Sequence, residues 1–309
     1  MRTRILTVLA AALAVVLGTT GPAWAITNGV PDEGAHPQVG QLLFYVPDAV
    51  DPRFSDPGGW FTCSGTLIDH DVVLTAGHCT YGIGIEGVID PDGDGSGGTD
   101  VWFTLAEEPD YTILTPPSSN FAPDDNEGRY ETWSAALDAS DEWLEVESAV
   151  PHPDYVDNQF FLHDVGVLHL AEPADDGLPL ATLPTAGELD RLYAADKQQR
   201  YTAVGYGLEG SGPKTSFGGD TRRRADLRLV NLTGVGGLGG GISAKFSSNA
   251  NTGGTCFGDS GGPYFVAGTM TVVAVVSYGL NSACAGTSGG YRIDQPDDLA
   301  FINGQLTAA

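Results

Sequence analysis

Positive charge is scarce in this chain. Its 309 residues hold 14 Lys and Arg against 40 Asp and Glu, a formal net charge of −26. A surface so acidic repels phosphate backbones and anionic membranes, so neither nucleic acid nor membrane is an expected partner. The plain consequence of the charge is solubility and resistance to self-association, and a monomer is expected. Long hydrophobic runs are also missing. The apolar run from Ile5 to Leu17 falls short of the roughly 20 residues that a spanning helix requires. It follows Met1-Arg2-Thr3-Arg4 and precedes Ala23-Trp24-Ala25. Basic start, short apolar core and small-residue cut site together read as a secretory signal peptide over residues 1–25, and the expected location is extracellular. Its removal takes away Arg2 and Arg4 and no acid, so −26 becomes −28.

Cysteine is sparse, with Cys63, Cys79, Cys256 and Cys284 as the full set. An even count in an exported chain suggests two disulfides, for which three pairings exist. Sequential pairing, Cys63 with Cys79 and Cys256 with Cys284, is the simplest because each closes a short loop. No C-x-x-C pair occurs, and no histidine stands at ligand spacing from one, which argues against a zinc site built on these thiols.

Long helical periodicity is nearly absent. Short β-branched and apolar runs recur instead, at Gln38–Tyr45, Asp71–Thr75, Val165–Leu170, Tyr201–Val204 and Met270–Ser277. Gly, Pro, Asp and Asn separate them, which predicts an all-β fold of strands joined by turns. One helix is expected at the end, where Pro296-Asp297-Asp298 caps a segment with Leu299, Ile302 and Leu306 on one face. The stretch from about 81 to 137 breaks the pattern, being rich in Gly, Asp, Pro and Ser, and reads as strands interrupted by long surface insertions. Within it, Asp90, Asp92 and Asp94 followed by Gly95 imitate the first half of a calcium-binding EF-hand loop. Val101 holds the twelfth position, where a bidentate Glu belongs, so an ordinary Asp-Gly turn is expected and no metal. Gly234 to Gly241 reads as a flexible loop.

Three segments carry chemistry. Gly258-Asp259-Ser260-Gly261-Gly262-Pro263 sets a serine among glycines, where a substrate carbonyl can approach the backbone and N–H groups can hold a developing oxyanion. A serine hydroxyl needs a base to become a nucleophile. Thr75-Ala76-Gly77-His78-Cys79 places a histidine at the end of an apolar strand, with a pKa suited to moving protons near neutrality. His163-Asp164 precedes the alternating strand Val165–Leu170, where the acid can orient His78. His163 and Asp154 compete for the base and acid roles but lie outside these contexts.

The order His, Asp, Ser in these three contexts resembles the chymotrypsin-like (trypsin-fold) serine protease family. The resemblance runs through nearly all of residues 26–309. It takes in the Cys63–Cys79 bridge beside the base, Gly205-Tyr206-Gly207, the Ser260 segment and Ser277-Tyr278-Gly279. It implies two packed six-stranded antiparallel β-barrels, the first over 26–180 and the second with the terminal helix over 181–309. The boundary falls near Pro173 to Arg191, and the whole forms one peptidase unit over 26–309. It implies Ser260 as nucleophile, His78 as base and then acid, and Asp164 as the group that holds His78 in its working tautomer. The N–H groups of Gly258 and Ser260 are the implied oxyanion hole. No cofactor is needed, and the expected substrates are proteins or peptides.

The same likeness bears on activation and specificity. Cleavage after Ala25 exposes Ile26-Thr27-Asn28-Gly29, which looks like the activated N-terminus of this family, whose ammonium pairs with the acid before the nucleophile, here Asp259. Thr27 and Asn28 stand where the family usually has Val or Ile and Gly. The position six before Ser260, the base of the family's specificity pocket, is Gly254, and its walls are expected at Gly279 and Gly289. An uncharged, open pocket favours apolar or aromatic P1 side chains. Ser277 and Gly279 are expected to bind substrate backbone as a short antiparallel strand, and Tyr278 stands where the family usually has Trp. Two other functions share the scaffold: a non-catalytic binding protein and an esterase with the same triad.

Overall fold

A computed structural model of the chain describes residues 25–46, 49, 58–83, 100–122, 125–159, 161–211, 216–234, 237, 239–279 and 281–307. The signal segment through residue 24 and the Asp90–Asp94 loop lie outside the described residues.

Six strands close the first barrel: β1 (Val39–Val46), β2 (Gly59–Asp69), β3 (Val72–Thr75), β4 (Val101–Thr104), β5 (Leu144–Pro151) and β6 (Gly166–Leu170). Their order around the barrel is β1-β2-β3-β6-β5-β4, every pairing antiparallel. The second barrel uses β7 (Arg200–Gly205), β8 (Arg223–Asn231), β9 (Ser243–Ser248), β10 (Pro263–Val266), β11 (Val272–Gly279) and β12 (Gly286–Arg292). It runs β8-β9-β12-β11-β10-β7 and closes where β8 pairs with β7. Closure leaves no long unpaired edge. The expected two-barrel all-β architecture is therefore the one observed, and each of the five predicted apolar runs lies on or beside a strand.

Side-chain alternation explains the inner face of β8. Ala225, Leu227 and Leu229 are buried while Asp226, Arg228 and Val230 are exposed, the period of two expected of a strand with one wet face. Strand β1 differs, because Val39 through Tyr45 are all buried. Val39, Leu42 and Phe44 enter the core of the first barrel with Leu67, Leu74 and Phe103. Leu43 points the other way and joins Trp102, Leu137 and Trp143 in a separate small core on the outside of the barrel. The cover comes from the insertion. It contains helix α1 (Asn126–Asp138), whose Asp138 accepts a hydrogen bond from Trp102 Nε1 at 2.9 Å and whose Trp133 ring lies 5.6 Å from that of Trp60.

Two helices were missed in the sequence. In α1, Tyr130, Trp133 and Leu137 stand at the i, i+3, i+7 spacing of a helix face, but they are three large apolar residues among charged and small ones, in a stretch that reads as surface insertions. Helix α2 (Glu188–Ala195) is only eight residues long, buries Leu189, and is stitched at its start by Asp294, which accepts from Leu189 N–H at 2.8 Å. The expected terminal helix is present as α3 (Pro296–Leu306), with Pro296 in its first turn and Ile302 buried. It packs on β3 and β6 of the first barrel although it follows the second.

The disulfides are Cys63–Cys79 and Cys256–Cys284, the sequential pairing. Phe103 is fully buried between β1 and the rest of the first core. Replacing Phe103 by Ala is expected to cost about 3–5 kcal/mol of stability, read from the shift in urea midpoint, because the cavity cannot fully collapse.

Candidate active site

His78 sits in a single 3-10 turn, Gly77–Cys79, directly after β3. The disulfide to Cys63 ties this turn to β2. Asp164 lies just before β6, which pairs with β3, so the register of these two strands sets the acid beside the base. The main-chain N–H of His78 donates to Asp164 Oδ1 at 2.9 Å, and His78 Nδ1 lies 3.0 Å from both carboxylate oxygens. Ser277 on β11 of the second barrel donates its hydroxyl to Asp164 Oδ2 at 2.5 Å. Asp164 is fully buried, and these donors replace the water that its charge has lost. Burial pulls the His78 pKa down, but the charge of Asp164 and the hydrogen bond to it outweigh that pull. The net effect holds His78 above the ordinary histidine value.

Ser260 arrives from the second barrel. A Cβ on the next residue, Gly261, would fall 2.0 Å from Thr75 Oγ1 and 2.9 Å from Ala76 N. Only glycine allows that approach at φ +78°, and it lays the serine segment against the strand end that carries His78. The carbonyl of Ser260 accepts from Ser64 N–H at 2.7 Å, a second tie across the barrels. Among the described residues the Ser260 hydroxyl makes no hydrogen bond to His78. The geometry joins His78 to Asp164, and the Ser260 segment packs on the strand end that carries His78.

The loop before Ser260 is shaped by Asp259, a fully buried carboxylate. It accepts Gly207 N–H on Oδ1 and Cys256 N–H on Oδ2, each at 2.8 Å. The N–H of Asp259 is spent on Cys256 O at 3.1 Å, whereas those of Gly258 and Ser260 donate to nothing among the described residues. Burial pushes Asp259 up to about 7, its two backbone bonds only partly opposing. In the full-length chain Ile26 is bonded to Ala25, and Asp259 has no cationic partner among the described residues. Ile26 is nonetheless fully buried in the second core, with a φ of +46° that a β-branched residue rarely adopts. Thr27 O accepts from Gly254 N–H at 2.9 Å.

A cavity of about 180 Å³ opens beside Ser260. Val276, Ser277, Tyr278 and Gly279 line one side of it. Gly254 and Gly289, the expected base and second wall, are not among the residues that line it. A Cβ on Gly254 would stand 1.8 Å from Ser248 Oγ, so that residue faces the neighbouring strand β9. Gly289 lies beneath the Tyr278 ring, where a Cβ would meet Cζ at 2.5 Å. The reason is register: a bulge between Val276 and Tyr278 pairs Tyr278 with Gly289. Thr255 and Ser288, one residue along from Gly254 and one back from Gly289, line the cavity instead. The hydroxyl of Tyr264, behind them, lies 3.3 Å from Thr255 Oγ1 and 3.1 Å from Ser288 Oγ. Sequence reasoning missed these hydroxyls; their adjacency to the two expected glycines was the available signal.

A family model described as Trypsin matches residues 125–294, more than half of the chain. The chain belongs to the trypsin family. The matched stretch contains Asp164 and Ser260, and His78 precedes it. Mast cell protease 2 of Meriones unguiculatus is similar, with 27% identity over 224 residues that cover 69% of this chain and 68% of that protein. Among solved structures, HL collagenase matches with a TM-score of 0.60 and 18% identity over 92% of this chain and 99% of its own. The structure of GrC matches with a TM-score of 0.59 and 17% identity, over 90% and 98%. At these identities the two structures speak for the fold. Among the described residues no helix is long and apolar enough to cross a membrane. Cys63, His78 and Cys79 come together as potential metal ligands, but both thiols are spent in the disulfide.

The raised Asp259 has a consequence for stability. A carboxyl whose folded pKa exceeds its unfolded value stabilises the fold fully below that unfolded value, and the contribution is lost as pH rises through the folded pKa. Asp298, pushed up to about 7 mainly by burial, acts in the same sense. The full-length chain is therefore expected to lose urea resistance between about pH 4 and 7. Asp259→Asn should flatten that slope, and an unchanged slope in the variant would refute the assignment.

Proposed function

We propose that this protein is an exported serine endopeptidase acting as one peptidase unit over residues 26–309. The observation that carries the proposal is the His78–Asp164 pair, its acid fully buried, at the seam where the Ser260 segment packs, beside two N–H groups with no partner among the described residues. Family membership makes a hydrolase of proteins or peptides the expected class. In this mechanism Ser260 Oγ attacks the scissile carbonyl while His78 takes its proton through Nε2. The N–H groups of Gly258 and Ser260 hold the oxyanion, an arrangement worth about 3–4 kcal/mol of barrier. His78 then gives the proton to the leaving amine, and water, activated by the same imidazole, releases the acyl group and restores Ser260. Asp164 holds Nδ1–H and stabilises the imidazolium. No residue role requires a cofactor.

Export follows from the signal segment, and in this proposal the cut after Ala25 also creates the working N-terminus. The new ammonium of Ile26 would give Asp259 the counter-charge it lacks in the full-length chain. The buried position already held by Ile26 supports this. Apolar or aromatic P1 residues suit the largely apolar walls of the cavity. The hydroxyls of Thr255 and Ser288 at its lining favour an aromatic P1 that ends in a polar atom.

Hydrolysis of casein and of a P1-varied peptide panel by the chain beginning at Ile26 tests the proposal. Ser260→Ala should cut turnover by about six orders of magnitude and abolish labelling by a serine-directed phosphonate. Hydrolysis that survives in that variant would end the nucleophile assignment. Turnover of small esters alone, with proteins left uncut, would point to the esterase, and a folded chain with no turnover to a binding protein. The acid limb of the kcat/KM profile should lie above pH 6.5, because His78 must be neutral to act as base and its pKa is raised. Asp164→Asn should move that limb to lower pH and reduce kcat about 10⁴-fold.

A further inference from the structure

Of the six histidines, two that the triad does not use stand together behind Asp164. His152 follows β5 and is almost completely buried, at 3% exposure. Its ring stacks on that of His163, with centroids 4.8 Å apart and planes 19° from parallel. The exposed carboxylate of Asp154 completes the group. One ligand atom from each of His152, Asp154 and His163 lies within 4.8 Å of the others. His163 Nδ1 is buried and has no hydrogen-bond partner among the described residues, an orphaned polar atom that a fold ordinarily satisfies. His152 Nδ1 accepts from Asp154 N–H at 3.1 Å, so the loop that bears the carboxylate already reaches the ring, and zinc at Nδ1 would take the place of that bond. The segment is held firmly, because His152 N–H donates to Val165 O at 2.9 Å and Val165 N–H to His163 O at 2.8 Å.

We propose that His152, His163 and Asp154 form a binding site for a divalent transition cation of the zinc class, with solvent as the fourth ligand. Two imidazoles and one carboxylate are the donor set of open zinc sites, and calcium, which takes oxygen ligands, does not suit it. Zinc–nitrogen bonds of about 2.0–2.1 Å place tetrahedral ligand atoms roughly 3.4 Å apart, so modest rotation of the exposed Asp154 and of the His163 ring closes the site. The net charge of −26 raises the local concentration of cations around it. The proposal is independent of the catalytic assignment.

The test is isothermal titration of the chelator-stripped protein with zinc chloride, with melting curves taken in parallel. Wild type should bind one equivalent and melt higher with zinc than without. Asp154→Asn changes an exposed side chain and should stay folded. His163→Asn keeps a residue tolerant of the positive φ at that position, 52°. Each should weaken zinc binding by about tenfold or more, while His78→Ala leaves it intact. Absence of saturable one-equivalent binding, wild-type affinity in either ligand variant, or loss of binding in His78→Ala would overturn the site. Equal affinity for calcium would do so as well.

Discussion

The site and the packing of the two barrels converge on one buried charge. Asp164 is out of reach of water, and an uncompensated carboxylate there would carry a desolvation cost of several kcal/mol. Its compensation comes from both halves of the molecule: the main chain and ring of His78 from the first barrel, and the hydroxyl of Ser277 from the second. Moving the barrels apart would strip Ser277 from the carboxylate. The same contact therefore keeps the barrels in register and keeps the imidazole oriented. Ser260 benefits at one remove, because Gly261 and Ser64 lock its segment to the first barrel at the same seam.

A second buried carboxylate shapes the neighbouring loop by a different balance. Asp259 has only two backbone donors and no cation among the described residues, so burial raises its pKa. The turn it organises leaves the Gly258 and Ser260 N–H groups without partners among the described residues, which is costly unless a ligand oxygen takes them. Buried Ile26 with a strained backbone stands in the same half of the molecule. These features share a logic: groups left short of a partner in the full-length chain are the ones that a new N-terminus or a substrate would satisfy.

The insertion between His78 and Asp164 is a structural cover over part of its length. Trp60, Trp102, Trp133, Trp143 and Tyr111 meet over the outer face of β1 and β4, converting a surface that would face water into a second small core. This accounts for why β1 is buried on both faces and why Leu42 to Val46 are apolar without alternation.

Much of the fold was legible in local pattern. β-branched runs with turn residues between them mark strands wherever they fall, because alternation and turn chemistry are properties of neighbours in sequence. The Ser260 and His78 contexts were legible for the same reason: glycines, a cysteine and an apolar strand end declare themselves within a few residues. Helix α1 was hidden because Tyr130, Trp133 and Leu137, though at helical spacing, stand alone in a polar segment and find their packing partners on distant strands. The cavity lining was out of reach because it depends on a bulge in β11, and a one-residue shift exchanges Gly289 for Ser288. The His152–His163 stack belongs with these, since residues eleven apart meet only after β5 and β6 pair. By itself, then, the sequence determined which segments become strands and which short motifs carry chemistry. Only the tertiary structure decided which side chains face one another across strands, because that rests on register and on burial between segments far apart in the chain.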